Sequence, residues 1–110
     1  VFLALPAPST VGSFGGRVLR SSRALDVSML RLDDFLGRYA AHHADAVSTI
    51  DLAAKVCPGG PPCRPVVAGH RLRPFDGTHF GPEGAVRVAT WMWDRVERST
   101  AAAPSQRAGR

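Results

Sequence analysis

Asp76 and His79 are the two residues whose types and spacing best fit a catalytic role in this sequence. They lie three positions apart in the segment Asp-Gly-Thr-His-Phe. If the chain turns between them, which Gly77 permits, the carboxylate can accept the Nδ1 proton of the imidazole. The imidazole Nε2 is then free to take a proton from a nucleophile. The same spacing also occurs where an Asp caps a helix beside a partly buried His, so the motif alone leaves both interpretations open.

The two cysteines, Cys57 and Cys63, bracket a turn made only of Pro and Gly. Such a turn can bring their Cα atoms within the distance that a disulfide needs, and we interpret them as a bridge rather than as two free buried thiols. A zinc site formed with His70 and His79 is the alternative. Five residues separate the cysteines, whereas structural zinc sites usually place the first pair roughly two to four residues apart. We therefore expect no metal, no cofactor, and an oxidising compartment outside the cytoplasm.

In the first half of the chain, hydrophobic periodicity predicts the strands and helices that must position the candidate residues. The apolar run 1–5 is typical of an interior strand. Residues 9–22 show no period and are rich in Gly, Ser and Arg, so we expect a loop with room for a helical turn near Val18 and Leu19. Residues 23–43 predict an amphipathic helix with one buried stripe. The stripe comprises Leu25, Met29, Leu32, Leu36 and Tyr39 or Ala40.

The second half of the chain predicts one more strand, a long loop and a final helix. Residues 46–52 contain β-branched side chains that favour a strand, parallel to the first because a helix connects the two. Residues 57–73 are too rich in Pro and Gly for a regular element. The last helix begins at 81–83, where Pro suits the first helical position, and residues 99–110 are typical of a disordered tail. The apolar face of this helix comprises Val86, Ala89, Trp93 and Val96.

Two groups of side chains have roles that the sequence leaves open. Trp91 and Trp93 lie about 200 degrees apart on a helix. We therefore expect one to pack against the sheet and the other to face a neighbour outside this chain. His70, Arg71 and Arg73 lie just upstream of the Asp-x-x-His turn. They fit the entrance to a substrate site and a plain surface loop equally well.

The net charge of +5 comes from the flanks of the chain. Between Asp26 and Arg98 the basic residues balance all nine acidic residues. An interface for nucleic acid needs clustered charge on a folded face, so we do not expect nucleic-acid binding. At 110 residues the chain fits a single domain. No apolar run approaches the roughly 20 residues that a membrane-spanning helix needs.

The second half of the chain resembles the C-terminal part of the SGNH hydrolase superfamily. The resemblance is greatest to the SGNH domains that follow a membrane acyltransferase domain in bacterial cell-surface O-acyltransferases. The last sequence block of that family is Asp-x-x-His, often Asp-Gly-x-His-Phe, followed by a helix that starts with small residues. Here residues 76–80 match the block, and Gly84 and Ala85 match the small residues. Residues 1–8 resemble the family's next-to-last core strand, so the resemblance extends over 1–98.

The resemblance implies an α/β fold of three layers, a parallel-sheet SGNH/flavodoxin-like fold, present only as its C-terminal half in residues 1–98. It also implies that Asp76 and His79 supply the acid/base part of a Ser-His-Asp triad in a serine esterase or O-acyltransferase. The family's Gly-Asp-Ser block, which carries the nucleophile, is missing, and the chain contains no Asn for an oxyanion hole. We therefore expect the isolated chain to have little or no activity.

The partners that the resemblance implies are the missing N-terminal half of the same domain and, in the intact protein, an acyl ester or carbohydrate substrate. It also implies a cell-surface location and leaves room for an upstream membrane acyltransferase domain. Half a domain exposes a strand edge and an apolar face, which predicts a marginally stable, aggregation-prone monomer. The rival hypothesis is a non-catalytic extracellular binding module, in which the disulfide-closed loop and the basic flanks bind a partner.

Overall fold

The computed structural model describes residues 1–108 and shows a mixed α/β chain with a small parallel sheet. A long irregular loop, 57–81, separates the last two helices. The elements in chain order are β1 (Phe2–Leu5), β2 (Gly12–Phe14), β3 (Arg17–Leu19), α1 (Arg23–His42), β4 (Ser48–Asp51), α2 (Leu52–Val56) and α3 (Pro82–Ala108). None of the helices within the described range is long and apolar enough to cross a membrane.

β1 and β4 form the parallel pair that the sequence predicts. Phe2 pairs with Ser48 at one end, and Leu5 pairs with Asp51 at the other. Within residues 1–108 this sheet has only these two strands, and alternate residues of β1 are exposed. β1 is therefore an edge strand here, and the expectation of an interior strand was wrong for this chain. An apolar run of this length is compatible with either position, and only the number of neighbouring strands distinguishes them.

A β-hairpin replaces the loop that we expected between β1 and α1. β2 and β3 pair antiparallel, with Gly12 opposite Leu19. Gly15 and Gly16 connect them, and both have positive φ angles, 59° and 77°. A two-residue hairpin turn of this kind requires two consecutive residues with positive φ, which Gly adopts without steric cost. The predicted helical turn near Val18 was wrong because the Gly-Gly pair favours a strand on each side of it.

α1 forms as predicted, ending one residue earlier than expected, at His42. Its start is fixed by Ser22, whose side-chain oxygen accepts the Leu25 N–H at 3.1 Å, in the manner of an N-cap. The predicted stripe is only partly covered. Ala40 is buried and Met29 is half-buried, but the Leu25 residue is 63% exposed. Large apolar residues of α1 that remain exposed are Leu25, Val27, Leu30, Leu32, Phe35 and Tyr39.

The buried core lies between α2, the long loop and α3. Val56, Leu72 and Val88 are buried together, one from each of these three segments. The short helix α2 follows β4 without a connecting loop, and the sequence interpretation missed it. A helix of five residues presents too little periodicity to be recognised from its sequence. Partly buried apolar residues around the core are Ala7, Leu52, Val67, Phe80 and Met92.

α3 begins at Pro82 as predicted, but the face of the helix that is buried differs from the predicted face. Gly84 and Val88 are buried, whereas Val86 and Ala89 of the predicted core face are exposed. The contact at Gly84 explains this difference, since a Cβ atom there would lie 2.1 Å from the Leu72 carbonyl oxygen. Only Gly allows this close approach, and the approach determines which face of α3 meets the core.

The two tryptophans of α3 lie in different environments, as the sequence predicts, but the assignment of Trp93 to the buried apolar face was wrong. Trp91 is half-buried, whereas Trp93 is 63% exposed. α3 continues through residues 99–108, which the sequence interpretation assigned to a disordered tail. Three consecutive alanines, which have the highest helix propensity, occur in this segment. Residues 109–110 of the expected tail lie outside the described residues.

Candidate active site

The Asp76–His79 turn has the geometry that the spacing predicts. Asp76 Oδ2 lies 2.5 Å from His79 Nδ1. The other carboxylate oxygen, Oδ1, accepts the backbone N–H groups of Thr78 at 2.9 Å and His79 at 2.8 Å. Gly77 has a φ angle of 76°, a left-handed conformation that Gly adopts readily. The sequence spacing therefore brings the acid and the base into direct contact.

The hydrogen bonds around Asp76 keep its carboxyl group ionised. The side-chain hydrogen bond from His79 lowers the pKa of Asp76 well below its usual range, and the backbone N–H groups of His79 and Thr78 lower it further. An ionised Asp76 favours the His79 tautomer that carries its proton on Nδ1. The His79 side chain is 83% exposed, and its Nε2 has no hydrogen-bond partner within the described residues. This nitrogen is free to accept a proton from an incoming group.

The turn is docked onto the segment that follows β1, and main-chain contacts hold it there. The Thr10 N–H donates to the Gly77 carbonyl at 2.9 Å, and the Ser13 N–H donates to the Phe75 carbonyl at 2.5 Å. The two backbones approach so closely that a Cβ atom on Gly77 would lie 2.1 Å from the Thr10 carbonyl oxygen. On the other side, a Cβ atom on Gly12 would lie 2.1 Å from the Asp76 carbonyl carbon. The position of the turn therefore depends on a glycine in each segment.

Arg73 is a buried structural residue that the sequence analysis did not recognise. The residue is only 5% exposed. Its Nη1 donates to the Pro8 carbonyl at 2.6 Å and its Nη2 to the Val56 carbonyl at 3.4 Å. Burial lowers the pKa of the guanidinium, and the negative charge of Asp76 opposes this shift. Arg73 therefore joins the segment after β1, the end of α2 and the loop behind the Asp76–His79 turn.

No sequence signal separates Arg73 from its neighbour Arg71. Both are arginines in a loop rich in Pro and Gly, and Arg71 is exposed. The partners of Arg73 are Pro8, 65 positions away, and Val56, 17 positions away. The assignment of Arg73 to the substrate entrance or to a plain surface loop was therefore wrong, because its environment is made by residues distant in sequence.

His70 packs against the start of α3. A tight turn at Ala68 and Gly69 brings His70 back towards Val67, with which it exchanges two backbone hydrogen bonds of 2.8 and 3.0 Å. Its Nδ1 then lies 2.9 Å from Glu83 Oε1. His70 thereby ties the long loop to α3.

An open groove runs between the long loop and α3, and we call it the α3 groove. Its volume is about 900 Å³, and His70 and Glu83 lie on its wall. The Arg87 Nε donates to Glu83 Oε1 at 3.0 Å, and this hydrogen bond lowers the pKa of the Glu83 carboxyl. The lining of the groove includes neither Asp76 nor His79. The further lining residues are Lys55, Val67, Ala68, Leu72, Val86, Thr90, Trp91 and Asp94.

The predicted disulfide between Cys57 and Cys63 is confirmed. Their sulfur atoms are bonded, and their Cα atoms lie 4.8 Å apart. Both residues are buried. The bridge removes both cysteines from the zinc site that we weighed as an alternative. Within residues 1–108 no group of three or more His, Cys, Asp or Glu side chains is arranged to hold a metal ion.

A nucleophile does not accompany the acid/base pair in the described part of the chain. Ser9 is the hydroxyl residue bonded to this turn by its side chain, and its Oγ lies 2.8 Å from the Thr78 hydroxyl oxygen. Among the residues whose side chains the structure describes, 1–13 and 15–100, no serine or threonine hydroxyl forms a hydrogen bond with His79. The arrangement can hold and transfer a proton, but the group that would attack a substrate must come from elsewhere.

Comparison of the chain with models of known protein families, with curated proteins and with solved structures gives no match. The comparisons therefore neither support nor oppose the resemblance to SGNH hydrolases. The interpretation of function depends on the geometry of the Asp76–His79 turn and on the motif itself.

Proposed function

We propose that Asp76 and His79 form the acid/base pair of an SGNH-type serine esterase or O-acyltransferase. The observation that supports this proposal is the 2.5 Å contact between Asp76 Oδ2 and His79 Nδ1, combined with an exposed and unbonded Nε2 among the described residues. His79 Nε2 takes the proton of a serine hydroxyl as the serine attacks the acyl carbon, and later returns it to the leaving group. Asp76 holds the tautomer and stabilises the imidazolium that forms.

The proposed fold is the C-terminal half of a three-layer SGNH/flavodoxin-like domain. The parallel pairing of β1 and β4 supports it, as do the contacts of α1 with both strands. In open parallel sheets the functional site lies beyond the carboxyl ends of the strands. β1 ends at Leu5, and the segment that continues from this end is the one that docks the Asp76–His79 turn. The location of the turn beyond this end of β1 therefore supports the proposed fold.

The proposal assigns the remaining catalytic groups to a part of the domain outside this chain. A Gly-Asp-Ser block would supply the serine, and a Gly and an Asn would complete the oxyanion hole. The exposed apolar residues of α1 support a missing neighbour, because an amphipathic helix normally buries such a face. We infer that the isolated chain is inactive and that the intact enzyme acts on an acyl ester or transfers the acyl group to a carbohydrate hydroxyl.

The proposed location is outside the cytoplasm, at the cell surface. The disulfide between Cys57 and Cys63 is compatible with an oxidising compartment. An upstream membrane acyltransferase domain would attach the enzyme to the membrane in the intact protein, and the described residues contain no helix suited to that purpose.

A second candidate function is a non-catalytic extracellular binding module. The α3 groove supports it, because this groove has a volume of about 900 Å³, lies between the long loop and α3, and is separate from the Asp76–His79 turn. In this alternative the turn has only a structural role, and the groove binds a partner.

The test uses the full-length product of the reading frame that contains these residues. We would measure hydrolysis of p-nitrophenyl acetate and labelling of serine by a fluorophosphonate probe, which reports an activated serine whether the acyl acceptor is water or a sugar. His79→Gln is expected to reduce both rates by about 10²-fold to 10⁴-fold, the contribution of a positioned base. His42→Gln, a change in another exposed histidine, is expected to leave both unchanged. Equal rates in all three proteins would contradict the proposal and favour the binding module.

A further inference from the structure

Thr10 connects the disulfide-closed loop to the segment after β1. Its side-chain hydroxyl donates to the Cys63 carbonyl oxygen at 2.8 Å. Thr10 is only 4% exposed, and it also forms an isolated parallel β-bridge with Cys63. Because this hydroxyl is buried, bulk water cannot take the place of the Cys63 carbonyl as its hydrogen-bond acceptor. The position of Thr10 therefore depends on where the loop holds that carbonyl.

The main chain of the same residue holds the Asp76–His79 turn. The Thr10 N–H donates at 2.9 Å to the carbonyl of Gly77, which lies between the acid and the base. A Cβ atom on Gly77 would clash with the Thr10 carbonyl oxygen, so the two backbones are also in direct contact. Thr10 thus contacts the disulfide loop through its side chain and the turn through its backbone. Thr10 therefore links Cys63 directly to the Asp76–His79 turn.

We infer that the Cys57–Cys63 disulfide positions the Asp76–His79 pair through Thr10, so that reduction of the disulfide releases the pair. The bridge closes a loop with a sequence separation of six and restricts the conformations that its carbonyl groups can take. Reduction by a dithiol adds two electrons and two protons, which gives two cysteine thiols and the cyclic disulfide of the reductant. Cys63 then loses the constraint that fixes its carbonyl opposite Thr10.

The release is local because a separate set of contacts holds the surroundings. We expect Arg73 to keep its hydrogen bonds to the carbonyl groups of Pro8 and Val56 after the sulfur bond is broken, although Cys63 Sγ itself lies 3.4 Å from the Pro8 carbonyl oxygen. The buried cluster of Val56, Leu72 and Val88 contains neither cysteine. Reduction therefore acts on the tie between Cys63 and Thr10 and leaves α1, α3 and the core in place. The catalytic meaning of this inference rests on the proposed function, but the positioning of the pair does not.

The experiment is an NMR titration of the chain, labelled uniformly with ¹³C and ¹⁵N, before and after reduction with dithiothreitol. In the oxidised protein we expect the pKa of Asp76 to lie well below its usual range and His79 to carry its proton on Nδ1. After reduction the pKa of Asp76 is expected to rise towards the ordinary value of about 3.9, and the Nδ1–H tautomer is expected to lose its dominance. The amide signals of α1 are expected to stay where they are.

Two variants of Thr10 separate positioning from a general structural effect. Thr10→Val removes the hydroxyl but keeps the shape and the disulfide, and we expect it to reproduce the changes caused by reduction. Thr10→Ser keeps the hydroxyl, and we expect it to behave like the unsubstituted protein. If Thr10→Val does not fold, the reversible reduction of the unsubstituted chain decides the question by itself.

Three results would overturn the inference. The first is an Asp76 pKa and a His79 tautomer that do not change on reduction. The second is a folded Thr10→Val variant that behaves like Thr10→Ser. The third is a loss of the α1 signals on reduction, which would mean general unfolding. The titration requires no enzymatic activity. A pair that responds to reduction, together with a full-length product in which the fluorophosphonate probe labels no serine, would support the positioning and contradict the proposed function.

Discussion

The Asp76–His79 turn and helix α1 differ in how well the rest of the described chain pairs their polar groups and covers their apolar side chains. Around the turn, each carboxylate oxygen of Asp76 has a hydrogen-bond partner. On α1, Asp33 Oδ1 is buried without a partner among the described residues, while large apolar side chains such as Leu25 and Phe35 face solvent. The hydrogen bonds of the Asp76 carboxylate are thus supplied within this chain. The region on α1 has the character of a surface that another part of a structure would cover.

The same contrast appears in the acidity of two aspartates. Burial raises the pKa of Asp33, and the nearby negative charge of Asp51 raises it further. Hydrogen bonds from His79 and Thr78 lower the pKa of Asp76. The residue type is the same, but hydrogen bonds determine the direction of the pKa shift for Asp76, whereas burial determines it for Asp33. The turn therefore stabilises the charge of its aspartate, whereas the environment on α1 opposes the charge of Asp33.

The largest expected effects are those of two glycine substitutions, which change the free energy of unfolding in opposite directions. Gly77→Ala places a Cβ atom 2.1 Å from the Thr10 carbonyl at a residue whose φ angle is 76°, so we expect a loss of stability of about 3 kcal/mol or more. Gly37→Ala adds a Cβ atom to the middle of α1, where nothing lies within 4 Å, and is expected to stabilise by about 0.5–1 kcal/mol. Urea unfolding measures both. A Gly77→Ala variant as stable as the parent would contradict the close packing of the turn.

The next effect compares the buried arginine with its exposed neighbour. Arg73→Met removes the donors to the Pro8 and Val56 carbonyl groups, and we expect it to cost about 2–3 kcal/mol because hydrogen bonds from charged groups are lost in a buried environment. Arg71→Met is expected to change the free energy of unfolding by less than about 0.5 kcal/mol, since the Arg71 side chain is exposed. Equal costs for the two variants would show that Arg73 does not hold these segments together.

The smallest effects are the opposite pH dependences of the two aspartates. Because the folded pKa of Asp76 is lowered, its contribution to stability is present above the unfolded value of about 3.9 and is lost as the pH falls below it. Because the folded pKa of Asp33 is raised, its charge destabilises the fold at neutral pH, and this penalty is relieved as the pH falls towards about 4.

The corresponding variants are Asp76→Asn, expected to lower stability at pH 7, and Asp33→Asn, expected to raise it. Thermal unfolding between pH 3 and pH 7 measures both. The gain in Asp33→Asn is expected to disappear towards about pH 4, whereas the loss in Asp76→Asn is expected to persist to that pH and shrink below it. Changes of the same sign in both variants would contradict the contrast between the two regions.

Features determined by residues close in sequence could be predicted from the sequence. The Asp76–His79 contact spans three positions and the Cys57–Cys63 bridge spans six, so nearby residues were enough to suggest both contacts. The start of α3 follows from Pro82, and the extent of α1 follows from its periodicity. The parallel pairing of β1 and β4 follows from the order of the elements.

Features that depend on distant partners could not be predicted in the same way. The burial of Arg73 depends on Pro8, and the buried face of α3 depends on a close approach between Gly84 and Leu72. The β2–β3 hairpin is a different case, because its signal was local. Gly15 and Gly16 are a recognisable hairpin turn, and the short, irregular segment around them concealed it. The catalytic role of the pair, and the fold beyond a small parallel sheet with helices, stay predictions.

The contacts of the segment 8–13 also determine when this chain can fold. Pro8 is held by Arg73, 65 positions later, and Ser9 by Thr78, 69 positions later. High sequence separation of contacts slows folding, because a long loop must close before the contact forms. During synthesis this segment leaves the ribosome before its partners and remains without them until residues 73–78 have been made. The Asp76–His79 turn therefore docks onto the segment 8–13 only after a long stretch of chain between them has been synthesised.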